Sequence, residues 1–305
     1  MKYLIAGGTG FVGQALISYL FNRGHEVFLL MRGAKAPKFS GGTPEAFQWD
    51  GKSPGAWCEA VEQADVVINL CGESVVNTRW SDTVKQRLSS SRTAPTRALV
   101  NAIRNASRKP CALINASAVG YYGSSGDAIL TEASAAGNDY LAELCEAWEE
   151  SAFRASADGI RVVMLRIGVV LGSQGGVIQK MRLPFSLYAG GPLGSGKQWV
   201  PWIHISDLIR IIERASVDTR ISGPCNACSP DPQTMKAFSS AMGRAMSRPS
   251  WLQAPEFVLK ILLGERASVI TSSYRTIPDK MLKQNFKFDY EKLDSAMEAV
   301  VRENL

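Results

Sequence analysis

The chain has 305 residues, 46% of them hydrophobic, and a net charge of +6. That length holds one large α/β domain or two smaller ones with a full core. No apolar run reaches about eighteen residues, and the N-terminus enters a strand without a signal peptide's apolar region, so no membrane partner is expected. The expected location is cytoplasmic, or an organelle after processing. Lysines and arginines are dispersed, which favours a small anionic ligand and not nucleic acid.

In chain order, Tyr3, Leu4 and Ile5 form a buried strand running into Gly7, Gly8, Thr9, Gly10, Phe11, Val12 and Gly13. Residues 11–22 carry Val12, Leu16 and Leu20 at helical spacing, and Gly24 suits a helix stop. Strand, glycine turn and helix in this order are the context of a dinucleotide site. One glycine allows the tight turn, one lets backbone approach a pyrophosphate, and one lets helix pack close to strand. The unpaired N–H groups at the positive end of the helix suit a phosphate. All seven turn residues are therefore cofactor candidates.

The second strand, residues 26–31, ends at Arg32. An NAD-binding unit has an Asp or Glu about 20 residues past the glycines to receive the ribose 2′-hydroxyl. Here Arg32, Lys35 and Lys38 follow the strand and no carboxylate does. Cations there fit a 2′-phosphate, hence NADP(H); a solvated basic loop is the alternative.

Residues 33–55 read as a loop holding a short strand at 47–50. Residues 65–72 read as a buried strand ending in glycine, which brings Leu70, Cys71, Gly72 and Glu73 to the sheet edge where ligands bind in open α/β folds. Residues 84–105 are helical material interrupted by Pro95. Residues 111–118 form a strand ending at Ser117. Residues 140–155 form a helix with Leu141, Leu144, Cys145 and Trp148 at helical spacing, and residues 161–168 the next strand. Five or six strands alternating with helices predict a doubly wound parallel sheet of the Rossmann type. It would occupy residues 1–172, with 200–228 available to complete the sheet. Residues 173–305 would form a smaller mixed C-terminal lobe for substrate. In that lobe 198–205 reads as strand, Ser206 or Asp207 as a helix cap, and 235–246, 255–263 and 278–304 as helical.

Two patterns are set aside. Gly191 to Lys197 begins like a phosphate-binding P-loop, but Gln198 replaces the magnesium-binding hydroxyl and an aromatic strand follows. Cys225 and Cys228 read as packing, with zinc or redox chemistry the lesser alternative, since the only histidines are His25 and His204. No metal is expected.

With these residues in view, the chain resembles the short-chain dehydrogenase/reductase superfamily on its extended, sugar-nucleotide-epimerase-like side. The opening glycine turn and Trp202-Ile203-His204-Ile205-Ser206-Asp207 carry that likeness. A narrower likeness, covering essentially the whole chain, is to an atypical "epimerase family" branch of unproven activity. Its carrying stretches include Asn69 to Glu73, Arg79-Trp80, Ser91-Arg92, Ala116 to Gly123, Leu141 to Glu149, Arg166 to Gly172 and Gly190 to Trp199.

The resemblance implies an NADP(H)-binding protein that transfers hydride on a carbonyl or sugar-nucleotide-like small molecule. It also leaves a homodimer open. Typical superfamily members pair a catalytic Tyr with a Lys four residues on, which lowers the Tyr pKa. Tyr140 falls at the family's Tyr position, but Leu144 stands where the Lys would be. The other catalytic candidates are Ser117, Tyr121 and Tyr122, each with packing as its alternative. Arg92 and Arg166 are candidates for binding cofactor phosphate, and Arg92 also for replacing the lost Lys charge. Gln198, Trp199 and Trp202 are the candidates for lining the substrate cleft, while His204 reads as architectural. The broken Tyr-Lys pair keeps a rival reading alive, a non-catalytic NADPH-binding sensor.

Overall fold

The computed structural model describes residues 1–33 and 36–302. Seven strands form the central sheet: β1 (Lys2–Ala6), β2 (Glu26–Met31), β3 (Glu45–Gln48), β4 (Val66–Asn69), β5 (Ala112–Ala118), β6 (Arg161–Ile167) and β7 (Gly223–Ala227). All neighbours pair in parallel, in the order β7-β6-β5-β4-β1-β2-β3. The chain turns one way from β1 to β2 and returns on the other side of β1 as β4. That reversal opens a crevice beyond the carboxyl ends of β1 and β4.

The strands are apolar throughout because both faces are covered. In β1, Tyr3 and Ile5 pack with Leu16 and Ile17 of helix α1 (Phe11–Asn22), while Leu4 and Ala6 face the opposite core. That opposite face is covered by α2 (Cys58–Gln63), α3 (Asp82–Asn105) and α4 (Tyr140–Phe153). A separate core joins α5 (Gly176–Ser186), α7 (Met235–Met246) and the terminal helix Leu293–Arg302 around Ile178, Phe185, Trp202 and Phe238. Between them lie α6 (Ile205–Val217), which packs on the sheet, and α8 (Glu256–Leu263). No helix among the described residues is long and apolar enough to cross a membrane.

Four local expectations shift. The third strand starts at Glu45, two residues early, because Phe47 pairs with Leu30 in β2. Helix α3 runs through Pro95 without a break. Buried Val84 and Leu88 before the proline, and Leu99 and Ile103 after it, anchor both halves against the cost of the lost hydrogen bond. The cap of α6 is His204, not Ser206 or Asp207: its Nδ1 accepts from the Ser206 N–H at 3.3 Å. The final helical stretch is two helices, Asp279–Lys283 and Leu293–Arg302.

Candidate cofactor and active site

The turn after β1 is shaped for something larger than its own side chains. Gly7 has φ +78°, and a Cβ there would lie 2.7 Å from the Leu70 carbonyl carbon. A Cβ on Gly13 would lie 2.5 Å from the Gly8 Cα, so the helix seats directly on the turn. Helix α1 starts at Gly10 with no side-chain cap and no carboxylate in its first turn. Its first N–H groups are therefore left for an anion at the positive end of the helix. These features fit a dinucleotide pyrophosphate. Thr9 contributes its carbonyl to Gln14 Nε2 at 2.7 Å, and Val12 packs toward the core. The Phe11 ring is engaged elsewhere. Cβ atoms on Gly172 and Gly175 would meet it at 2.6 and 2.9 Å, so it is wedged against the segment that leads into α5.

Arg32 is exposed just past β2 and has no carboxylate partner among the described residues. It is near enough to act electrostatically on Cys71, whose thiol burial pushes up to about 12. Lys35 lies outside the described residues. Across the turn, Leu70 to Glu73 continue β4. Below them Asn69 donates to Thr96 Oγ1 at 2.8 Å and Asn115 Oδ1 at 2.7 Å, and accepts from the Cys71 N–H. Trp148 Nε1 completes this buried set on Thr96 at 3.1 Å. It locks β4, β5, α3 and α4 together under the crevice.

Arg92 sits beneath this segment and not beside an open phosphate position. Its Nη2 donates to the Glu73 carbonyl at 2.8 Å and its Nη1 to the Leu88 carbonyl at 3.0 Å, with the guanidinium over Trp148. Burial draws its pKa down, with Cys145, Tyr140 and Glu73 opposing. The Glu73 carboxylate is held by Arg87 in two 2.9 Å hydrogen bonds.

Two of the four catalytic candidates, together with Arg166, are tied into one buried network. Arg166 meets Glu149 in a two-pronged ion pair, both hydrogen bonds 2.9 Å, and both side chains are under 10% exposed. Ser117 donates to Glu149 Oε1 at 2.6 Å. Arg166 Nη1 donates to the Tyr122 hydroxyl at 3.0 Å, which donates in turn to Asn226 Oδ1 at 2.6 Å. Burial opposes the Arg166 charge, but the Glu149 hydrogen bonds and charge outweigh it and raise the pKa. Burial likewise raises the Tyr122 pKa despite Arg166. Arg166 is thus spent on structure and not on cofactor phosphate. Ser117 and Tyr122 have their hydroxyl protons committed below the crevice floor.

Tyr121 differs. It is half-buried, the Arg166 guanidinium lies 3.4 Å from its ring centroid, and its hydroxyl has no hydrogen bond among the described residues. Tyr140 opens α4, and its hydroxyl donates to the Lys85 carbonyl at 3.0 Å while its ring meets Trp80. Burial raises its pKa and the nearby Arg92 charge works against that. Leu144 is buried, one turn along the same helix.

The expected substrate residues divide. Trp202 has no exposed surface and donates to the Asp231 carbonyl, so it is lobe core. Gln198 is also buried, bonded to the Leu193 and Ile270 carbonyls and to Ser195. Only Trp199 stays partly open, with its indole on Asp127 Oδ1 at 2.7 Å and Arg275 over its ring. His204 stacks on Tyr290 at 3.9 Å. Cys225 and Cys228 are wholly buried thiols, and burial pushes Cys225 up to about 12. Residues 76–85 are tied to α5 and to residues 265–266. Arg266 donates to the Val76 carbonyl, Lys180 to Asn77 Oδ1, and Lys85 pairs with Glu265.

Sequence reasoning passed over Glu149, Asn69, Thr96 and Asn226. Glu149 had a signal: Leu141, Cys145 and Glu149 recur every four residues, which places a carboxylate on the buried face. A charge there must find a partner.

Residues 3–223 match the family described as NAD dependent epimerase/dehydratase, and residues 254–300 match a domain of unknown function, DUF1731. The chain belongs to the NAD dependent epimerase/dehydratase family. Among its relatives is the epimerase family protein YfhF of Bacillus subtilis, 38% identical over 99% of this chain and 98% of that one. Another is the chloroplastic SDR39U1 homolog of Arabidopsis thaliana, 37% identical over 99% of this chain and 87% of the relative. The crystal structure of human SDR39U1 isoform 2 with NADPH superposes with a TM-score of 0.89 at 33% identity, covering 100% of both chains.

Proposed function

We propose that this family member binds NADPH along the carboxyl edge of β1, β2 and β4 and works as an oxidoreductase or epimerase on a small carbonyl compound. The observation that carries the reading is the uncapped glycine turn with Arg32, and no carboxylate, at the ribose end. The NADPH in the human relative's crystal structure supports it. In this reading the backbone of Gly7 to Gly13 holds the pyrophosphate, Arg32 the 2′-phosphate, and Leu70 to Glu73 the opposite wall. When bound, the cofactor supplies a hydride for a carbonyl carbon.

Proton handling falls to Tyr121, the candidate phenol whose hydroxyl is uncommitted and whose ring is fixed by Arg166. Tyr140 is the second phenol, with Arg92 supplying the positive charge that Leu144 cannot. Ser117 and Glu149 act as positioning residues, holding Arg166 under Tyr121. The test pairs NADPH calorimetry with turnover of 4-labelled NADPH against a carbonyl library. Tyr121→Phe is expected to keep NADPH affinity and to slow label transfer about a hundredfold, the usual weight of one general acid. Absence of NADPH binding by the unaltered protein overturns the reading.

A second reading, NADPH binding without turnover, draws on Leu144 and on the committed Ser117 hydroxyl. Binding without label transfer to any carbonyl would favour it.

A further inference from the structure

Eight of the thirteen large apolar side chains exposed among the described residues fall in two short stretches, residues 183–188 and 251–262. Leu183, Leu187 and Tyr188 close α5. Trp251 and Leu252 lie against them: both backbone N–H groups donate to the Gly190 carbonyl, and Trp251 Nε1 donates to the Tyr188 carbonyl at 3.1 Å. The chain then enters α8, which projects Phe257 and Ile261, 66% and 72% exposed, from one side of the helix. At such exposures these side chains are knobs standing out of the surface and not walls of a groove.

The charge around them is one-sided. Residues 170–200 and 233–262 contain seven lysines and arginines against one carboxylate, Glu256, which pairs with Lys260. Of the other six, only Arg244 pairs with a carboxylate among the described residues, Asp294. Lys180 bonds Asn77, and Arg248 lies over the Tyr188 ring.

We propose that this face of the C-terminal lobe lies on an anionic lipid surface, its aromatic and aliphatic knobs in the headgroup boundary and its cations on the headgroups. Exposed Trp, Tyr, Leu and Phe ringed by Lys and Arg is the make-up of a peripheral membrane face. Exposed apolar side chains gathered in so few residues call for a partner. A second copy fits poorly, because an isologous contact would set these cations against themselves with only Glu256, already paired with Lys260, to face them. The protein would rest on the bilayer and not cross it, consistent with the lack of a spanning helix among the described residues.

The test is co-sedimentation of the full chain with vesicles of phosphatidylcholine alone and of phosphatidylcholine with phosphatidylserine, at low and high salt. Binding is expected only to the phosphatidylserine vesicles and is expected to weaken with salt. Arg182→Glu should lower partitioning on the order of tenfold. Leu183→Ser with Leu187→Ser should abolish it, while thermal unfolding and NADPH affinity stay unchanged, since both leucines are solvent-exposed. Absence of pelleting with phosphatidylserine, or equal pelleting with both vesicle types, overturns the proposal. So does a vesicle-free dimer that the leucine pair dissolves, which would assign the face to self-association.

Discussion

Replacing Glu149 with Gln keeps the shape of the side chain and removes its charge, leaving the Arg166 guanidinium buried without a counter-ion. Both side chains are under 10% exposed and share two 2.9 Å hydrogen bonds. Breaking such a pair from one side costs about 3 to 5 kcal/mol, because the surviving charge cannot be rehydrated. For a chain of this size, with an unfolding entropy near 2.1 cal/mol/K per residue, that is a drop in Tm of roughly 5 to 8 °C. Glu149→Leu combined with Arg166→Leu removes both charges and should recover much of the loss, although Ser117 and Tyr122 then each lose a partner. Differential scanning calorimetry of Glu149→Leu, Arg166→Leu and the pair gives the coupling, and NADPH titration of each variant separates structure from ligand binding. The reasoning is refuted if Glu149→Gln stays within about 1 kcal/mol of the parent. It is equally refuted if Arg166→Leu costs NADPH affinity and no stability.

Three further outcomes follow from other parts of the molecule. Arg32→Glu removes the charge proposed for the 2′-phosphate, so calorimetry should show NADPH affinity falling about ten- to a hundredfold while NADH affinity holds or rises. Leu144→Lys restores the superfamily's sequence pattern but places an ammonium at a buried position, so denaturant melts should show a loss of about 2 to 5 kcal/mol; gained activity at unchanged stability would contradict this. The Lys2 backbone N–H and the Arg108 guanidinium hold Asp65 below the ordinary carboxylate pKa against partial burial. A carboxylate with a depressed folded pKa stabilises above its unfolded value and loses that contribution as pH falls through the folded one. Asp65→Asn should therefore flatten the fall in stability below about pH 4.

What could be read from the chain in advance was local. The glycine turn, the strand ending at Arg32 and the bounds of the 235–246 helix follow from spacing and propensity within a dozen residues. The seventh strand was harder, because Gly223 to Ala227 is short and joins the sheet only through its pairing with β6. The fate of the polar side chains was hardest. Ser117 meets a residue 32 positions away, and Tyr122 one 104 positions away. Nothing near Ser117 or Tyr122 in sequence distinguishes a committed hydroxyl from a free one, and the sheet order decides it. Trp199 and Trp202 illustrate the same limit. They are three residues apart on strands of similar character, yet one keeps an open edge and the other fills the lobe's centre.

The wedge of Phe11 between the glycine turn and Gly172 to Gly176 gives the two halves of the protein a shared part. The residue whose backbone opens helix α1 also packs, through its ring, against the segment that leads into α5. Any ligand that settles one position of that ring biases the other site. By thermodynamic reciprocity the factor would be the same in both directions, so a substrate bound on the α5 side, if the proposed function holds, should tighten or loosen NADPH as much as NADPH does to it. Cooperativity measured from either end would then be one quantity, and the cofactor, easily bought and easily titrated, becomes a reporter for a substrate whose identity is still to be found.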